Sequence, residues 1–496
     1  MLVFETSSGN SYAWDDHVGL FIPVSNTMKA VINEISNQKN LTKNQIANIL
    51  NGLFDKDDIS FCYDWYNKWQ KVSPNVHESQ SEQVCDSTYI KSYILRHGLL
   101  ALTLGVTEDC NFRCKYCTFS DSYNFTRTHS NKYMNFDTAR KAIDHFFSLL
   151  SQGKKFHPLR RPSIGFYGGE PLLNFELIKN CVEYISKNYH DFGVSYGLTT
   201  NCSLMDEEKA NWLMEHDFSI AVSLDGPEKE HNRLRVYRNE DGTFRDVMKN
   251  VGPIMKTGYD KINSTPVFDW KSDLFKMDEF FKGKEIPIIA RASMVNNGEE
   301  GCSYYDQFSE EDHQAYLDQV KRAKRYYYGC LDERRKSDRE SFFDKMIGQN
   351  PSQELFGCES ISQPHPIMPF TGSCVPGRKL FVDVNGTFHM CEKINDAFPI
   401  GNVEEGLDFK KIEHVVNKFI SHMDKCPSCS VSRKCNYCFV TFMTDKGFLN
   451  SSRVCDKVDS RSKWSFSETF EVAESDPEFV ENCNSKLKDI KKHFGD

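Results

Sequence analysis

Cys110-Asn111-Phe112-Arg113-Cys114-Lys115-Tyr116-Cys117 is the stretch that organises this chain. Three cysteines stand at C-x3-C-x2-C spacing, directly after the apolar run Leu99 to Val106. Three thiolates on one short loop can each hold one iron of a cubane cluster. No fourth cysteine is near; the next, Cys181, lies far along the chain. One iron would stay open to a non-protein ligand. Electron-transfer ferredoxins close four-iron clusters with four cysteines, so an open corner points to chemistry rather than electron storage. A zinc knuckle fits less well, because structural zinc sites close with four ligands, often as paired C-x2-C.

The surrounding composition restricts the context. With 496 residues the chain can hold two to four domains. Hydrophobic residues make up 39% and charged residues 26%, as in ordinary folded proteins. A net charge of −9 argues against bulk nucleic-acid binding. No apolar run has transmembrane length, and MLVFETSSGN lacks the basic region and long apolar core of a signal peptide. The expectation is a cytoplasmic protein with no membrane or nucleic-acid partner. Its 18 cysteines then do not form a disulfide framework, and their short spacings argue for metal.

Upstream, Ser11-Tyr12-Ala13-Trp14 and Gly19 to Val24 flank Asp15-Asp16-His17 as a hairpin. Asn26 reads as the cap of a helix through Ile35, and a second helix follows Thr42. Downstream, strand-like runs fall at Leu99–Thr107, Ser163–Tyr167, Val194–Thr200, Phe218–Leu224, Lys261–Phe268 and Ile286–Met294. Helical patterns such as Phe136–Leu150 and Phe175–Tyr189 lie between them. This alternation predicts an α/β fold with a parallel sheet and outer helices, its site at the C-terminal ends of the strands.

The three-cysteine loop, with the aromatic Tyr116 before its last cysteine, resembles the radical S-adenosylmethionine (radical SAM) superfamily. The resemblance implies a partial (β/α)6 barrel and a [4Fe–4S] cluster on the catalytic cysteines Cys110, Cys114 and Cys117. The open iron would take the amine and carboxylate of SAM. Reductive cleavage would then yield a 5′-deoxyadenosyl radical that abstracts a hydrogen from substrate. Phe166-Tyr167-Gly168-Gly169-Glu170-Pro171 resembles the family's GGE motif for the SAM amino group. Thr200 and Asn201 stand where the family places residues near the ribose, with Cys202 where glycine is common. Ser223-Leu224-Asp225-Gly226 and His231-Asn232-Arg233-Leu234-Arg235 resemble a further pair of family motifs. By register Ser223 and Arg235 approach the SAM carboxylate, with Arg233 the competing arginine and Asn232 in place of the usual Asp.

Toward the C-terminus, Cys374 and Cys391 precede Cys426-x2-Cys429-x5-Cys435-x2-Cys438 and Cys455. Cys391 follows Phe381 to Met390, which reads as a hairpin with an Asn-Gly turn. Paired C-x2-C could also make one zinc site, but that leaves three cysteines over. The seven-cysteine order resembles the SPASM domain, which holds two auxiliary [4Fe–4S] clusters. Carried over by position, Cys426, Cys429, Cys435 and Cys455 hold one. Cys374, Cys391 and Cys438 hold the other, with Cys358 or a substrate thiolate as its fourth ligand.

The expected division is 1–95, a winged-helix-like recognition unit for the leader of a ribosomally made peptide; 96–296, the barrel; 297–357, a helical linker; 358–455, the SPASM domain; and 456–496, a helical tail. The basic-aromatic run Lys321 to Tyr328 reads as a solvated helix face. The resemblance implies a peptide maturase of the sactipeptide and ranthipeptide kind, forming a thioether first and a carbon–carbon crosslink second. Its partners would be a precursor peptide and an electron donor such as flavodoxin or ferredoxin. Thr126 to Met134 carries part of that likeness, with His129 and Lys132 as residues that reach substrate or solvent. The alternatives are an anaerobic sulfatase-maturing enzyme, a peptide epimerase and, outside enzymes, an iron–sulfur scaffold that binds peptide.

Overall fold

The computed structural model describes residues 1–38, 40–72, 86–97, 99, 101–120, 122–123, 127–295, 302–329, 341–348, 367–368, 374–394, 396–435, 437–476, 478 and 480–481. Thr126, Cys358 and parts of the 297–357 segment lie outside these residues, as do Cys85, Cys330 and Cys483. No helix among the described residues is long and apolar enough to cross a membrane.

The N-terminal unit is an antiparallel sheet, β1 (Leu2–Glu5), β2 (Ser11–Asp15) and β3 (Leu20–Val24), with β2 in the middle. Side chains alternate across it with the two-residue period of a strand. Val3 and Ala13 face a core made with α1 (Asn26–Asn37), α2 (Lys43–Ile49) and α3 (Lys56–Val72). Leu2, Phe4 and Trp14 face the other way, onto Val431 and Phe466. The expected hairpin is β2–β3; β1 and α3 went unanticipated. Ser25, not Asn26, caps α1, its hydroxyl accepting from the Met28 N–H. Thr42 caps α2 in a capping box with Gln45.

After α4 (Ser87–His97) come β4 (Ala101–Thr107), α5 (Phe136–Gly153), β5 (Ser163–Gly168), α6 (Phe175–Asn188), β6 (Ser195–Thr200), α7 (Glu207–Glu215) and β7 (Ser219–Val222). Then follow α8 (Glu228–Leu234), α9 (Phe244–Lys256), β8 (Ile262–Ser264), β9 (Val267–Phe268), α10 (Leu274–Phe281), β10 (Ile288–Ile289) and β11 (Ser293–Met294). The strands β4, β5, β6, β7, β8 and β10 pair in parallel in that order. α5 buries Ala139, Ile143, Phe146, Phe147 and Leu150, the helical spacing that gave it away in the sequence. The last two expected strands each divide in two. Pro266, which has no N–H to donate, separates β8 from β9, and β9 pairs with β11 in a ladder of its own.

The chain continues through α11 (Glu310–Gly329) and α12 (Phe342–Met346) to β12 (Lys379–Val382), β13 (Thr387–His389), β14 (Gly401–Asn402), β15 (Gly406–Leu407), α13 (Phe409–Ser421) and α14 (Val458–Ser475). β12 joins the free edge of β4 in parallel, and β13, β14 and β15 extend the sheet antiparallel. Among the described residues the barrel strands and the C-terminal hairpin therefore share one open sheet of ten strands. The basic-aromatic run is not merely solvated: Ala323 and Tyr327 are buried. Lys324 pairs with Glu468 of α14 and lies over the Trp464 ring.

Candidate functional site

The three cysteines leave β4 at its C-terminal end, and neighbouring strands hold them there. The loop is tied on one side by Arg113 N–H to the Val236 carbonyl (2.7 Å) and Lys115 N–H to Leu234 (2.9 Å). On the other side, Gly169 N–H donates to Thr107 O and Glu170 N–H to Asp109 O, both at 2.8 Å. This ladder explains the two glycines. A Cβ on Gly168 would lie 2.1 Å from Thr107 O, and one on Gly169 would lie 2.0 Å from Asp109 O. Their close approach is to the cysteine loop's own backbone, a constraint present before any ligand binds.

Glu170 is buried, and loss of water raises its carboxyl to about 7. Its oxygens accept from Thr200 Oγ1 (2.7 Å), Asn201 N–H (2.7 Å) and Leu172 N–H (3.1 Å). It therefore links β5 to β6 while keeping a carboxylate at the strand ends. Asn201 does more than its ribose-side expectation. Its Nδ2 lies 3.9 Å from Cys110 Sγ and donates to Asn111 Oδ1 (2.9 Å). Cys202 sits at φ 62, the left-handed region that favours glycine, and its side chain is fully buried. The backbone thus keeps a glycine-like conformation despite the side chain.

Asp225, in the Ser-Leu-Asp-Gly motif, is the pivot that motif reading left unranked. It accepts from Arg235 Nε (2.8 Å) and Nη2 (3.1 Å), Tyr116 OH (2.8 Å) and Val267 N–H (3.0 Å). Arg235 Nη1 lies 3.8 Å from Cys114 Sγ, and its guanidinium stands 5.2 Å from the centre of the Tyr116 ring. Arg233 is engaged elsewhere, bidentate on Asp269 at 2.8 Å. Of the two competing arginines, only Arg235 therefore reaches the cysteine loop. Ser223 follows β7, its N–H donating to Thr200 O (2.8 Å). Asn232 fills the usual aspartate's place by accepting the Thr243 and Phe244 N–H groups, each at 2.9 Å, at the start of α9. An amide oxygen serves that purpose as well as a carboxylate.

The donor set fits an iron cluster. Burial pushes the Cys114 thiol up to about 12 and raises Cys110 and Cys117, so these groups ionise only with a compensating positive charge. The loop's Phe112 and Phe119 N–H groups each point at a cysteine sulfur at 3.4 Å, as backbone donors to metal-bound thiolates do. In the tail, the neighbouring Cys435 and Cys455 thiols add to burial in pushing Cys426 up to about 12. Cys429 is raised likewise, with Asp16, Cys426 and Cys435 beside it. These are the four cysteines expected to share one cluster. Among the described residues no three cysteine sulfurs lie within 4.8 Å of one another. A tetrahedral zinc site needs sulfurs about 3.8 Å apart, given Zn–S bonds of about 2.3 Å. Cys391 is half-buried and Cys374 exposed. His129, expected near substrate or solvent, places Nε2 3.8 Å from Cys117 Sγ.

Residues 104–269 match the Radical SAM superfamily. An uncharacterized protein of Methanocaldococcus jannaschii is 36% identical over 154 residues, covering 31% of this chain and 48% of the relative. A cysteine-type anaerobic sulfatase-maturating enzyme of Clostridium novyi is 23% identical over 350 residues, covering 67% of this chain and 85% of the relative. The chain thus spans about half the length of the first relative and most of the second. The solved structure of native anSMEcpe with bound AdoMet superposes with a TM-score of 0.55 at 21% identity, covering 78% of this chain and 99% of that one. At that identity the likeness establishes the fold. The three-cysteine loop and the strand-end motifs thus fall in one arrangement within the stretch that matches the Radical SAM superfamily, in a chain similar to sulfatase-maturating enzymes and to a radical SAM cyclopropyl synthase.

Proposed function

We propose that this enzyme modifies a ribosomally made precursor peptide, installing an intrapeptide crosslink: a thioether first, a carbon–carbon bond second. The observation that carries the reading is the N-terminal unit. Its β3 is an edge strand without a strand partner on one side among the described residues, and Leu20 there is exposed. Such an edge accepts an extended peptide as an added strand. The same unit is seated on the tail cysteines, because Asp16 accepts from Ser432 Oγ (2.5 Å) and Arg433 N–H (3.0 Å), between Cys429 and Cys435. A leader held on β3 would keep the core peptide tethered to the molecule that carries the chemistry. The division into recognition unit (1–95), barrel (96–296), linker (297–357), SPASM domain (358–455) and helical tail (456–496) belongs to this proposal. So do an electron donor of the flavodoxin or ferredoxin kind and the auxiliary cluster ligands.

When bound, the cluster and SAM supply a 5′-deoxyadenosyl radical for hydrogen abstraction. The chain's residues position what enters. Glu170 offers a carboxylate to the SAM ammonium, and Arg235, oriented by Asp225, offers a guanidinium to its carboxylate. Gly168, Gly169, Thr200, Asn201, Ser223 and Tyr116 would be the further residues beside bound SAM.

The test is anaerobic incubation of a cysteine-containing precursor peptide with the enzyme, SAM and a strong reductant. Loss of two hydrogens per modification, with fewer free thiols and matching 5′-deoxyadenosine, is the expected result. The relative of Clostridium novyi favours a second reading, formylglycine formation on a sulfatase segment. That reading predicts an aldehyde on a leaderless peptide, and no loss of activity when β3 is blocked. Unchanged mass with one deuterium gained in heavy water would mark an epimerase. No 5′-deoxyadenosine from a cluster-loaded enzyme would mark a peptide-binding scaffold.

A further inference from the structure

One short segment touches both cysteine regions. Arg127, buried although charged, donates from Nε to Asp396 Oδ1 (3.1 Å) and from Nη1 to the Glu392 carbonyl (3.1 Å). Its guanidinium carbon lies 4.6 Å from the centre of the Phe381 ring. Glu392 follows Cys391, so Arg127 grips the turn that presents that cysteine. The grip is backed by charge: Asp396 also lies 3.7 Å from the fully buried His389, which contacts Asp383 at 3.0 Å. Two residues on, His129 stacks on Phe119 with centroids 5.4 Å apart. Its Nε2 lies 3.8 Å from Cys117 Sγ and its Nδ1 3.3 Å from the Glu108 carbonyl. Ser130 and Lys132 then fasten the segment to β4: Ser130 N–H donates to Glu108 O (3.3 Å), and the Lys132 carbonyl accepts from Thr107 Oγ1 (3.0 Å).

The chemistry of these contacts has a direction. An iron-bound sulfur and the Glu108 carbonyl both only accept, so it is in the tautomer protonated at Nε2 that His129 donates to Cys117. Hydrogen bonds to cluster sulfurs stabilise the more negative, reduced state and raise the potential. Arg127 cannot lose its charge and is held by a carboxylate, a carbonyl and an aromatic face at once, so it is a rigid strut. Only three residues, Arg127 to His129, span the two contacts.

Resting on the cluster assignments proposed above, we propose that Arg127 and His129 are positioning residues that couple the two sites. Arg127 clamps the Cys391 turn against the barrel, and His129 sets the reduction potential of the cluster on Cys110, Cys114 and Cys117. The experiment uses full-length, anaerobically reconstituted protein. It reads iron content, the electron paramagnetic resonance signal of each cluster and the midpoint potentials.

His129→Phe keeps the stacking but removes the N–H. It is expected to retain full iron, shift the SAM-site potential downward and slow SAM cleavage, with His129→Gln recovering part of the shift. Arg127→Ala is expected to weaken or lose the auxiliary signal that depends on Cys391 while leaving the SAM-site iron bound. Arg127→Lys restores the charge but not the two-point grip on Asp396 and the Glu392 carbonyl, and falls between. Full iron with unmoved potentials in His129→Phe, or an intact Cys391-dependent signal in Arg127→Ala, overturns the proposal. Wild-type protein that binds about four irons in place of about twelve overturns the auxiliary cluster assignment instead.

Discussion

The two cysteine regions are built in opposite ways. Cys110, Cys114 and Cys117 hang from the end of a central strand, inside backbone ladders to residues 107–109, 168–170 and 234–236. The ordered sheet dictates their place. The tail cysteines sit on short turns and borrow their order from elsewhere. Cys426 to Cys435 lie on two single turns of 3-10 helix, and the loop between Cys429 and Cys435 is fastened by Asp16 from the other end of the chain. The cysteines we assign to the SAM cluster are placed by the backbone hydrogen bonds of the ordered sheet. The tail cysteines are placed by long-range contacts and, on our reading, by their metal.

The comparison can be broken at its strongest point first. Gly169→Ala puts a methyl group 2.0 Å from the Asp109 carbonyl oxygen, and neither backbone can yield without opening the ladder. The expected cost exceeds about 4 kcal/mol. Loss of soluble protein or of all SAM-site iron in purified variant is the measurement; a folded, fully loaded Gly169→Ala would show that the strand ends are softer than described. Removing iron by chelation should act on the other region. Hydrogen exchange is expected to accelerate in 426–455 well before β4, β5 and β6, and uniform acceleration would erase the distinction.

Asp16→Ala removes the carboxylate that accepts from the Ser432 hydroxyl, the Arg433 N–H and the Trp14 indole N–H. About 1–3 kcal/mol of docking stability should be lost. Proteolysis of the N-terminal unit checks this, with the barrel's own stability unaltered. A milder effect belongs to the barrel. His231 is buried, and desolvation lowers it to about 3, so it stays neutral where an unfolded histidine near 6.5 takes up a proton. Its contribution is therefore complete above pH 6.5 and declines as pH falls below it, by about 2 kcal/mol at pH 5. Denaturant titrations above and below that range should show the loss, and His231→Gln should reduce it. The smallest effect is expected at Cys202→Gly. Relief at φ 62 opposes the loss of a buried side chain, leaving stability within about 1 kcal/mol of the parent by thermal unfolding.

Much of the barrel was legible because its signals are local. Phe136 to Leu150 repeats apolar residues at helical spacing, and the structure buries that face. The strands from Ala101 to Val222 are short apolar runs between such helices, as expected of parallel strands covered on both faces. Legibility fails where a residue's partner is far away in sequence. β1 is four residues whose strand character depends on pairing with β2. His129 reads as loop chemistry until the fold brings Cys117 to it. Asp16 looked like turn punctuation, yet it is buried against Ser432, 416 positions on.

The sequence alone thus determined the chemistry on offer: three thiolates at cluster spacing, a Gly-Gly-Glu strand end, an arginine pair and a cysteine-rich tail. Spacing within a loop is covalent geometry and needs no fold to be read. Tertiary structure decided which offers were taken up. It placed Arg235 on Cys114 and Arg233 on Asp269, because only one of the two side chains at the end of α8 can face the strand ends. It made β12 a neighbour of β4, merging the tail hairpin with the barrel sheet. It also seated the N-terminal turn on the tail cysteines. Such choices follow from packing between distant segments, where burial and hydrogen-bond satisfaction across the whole molecule select the partner.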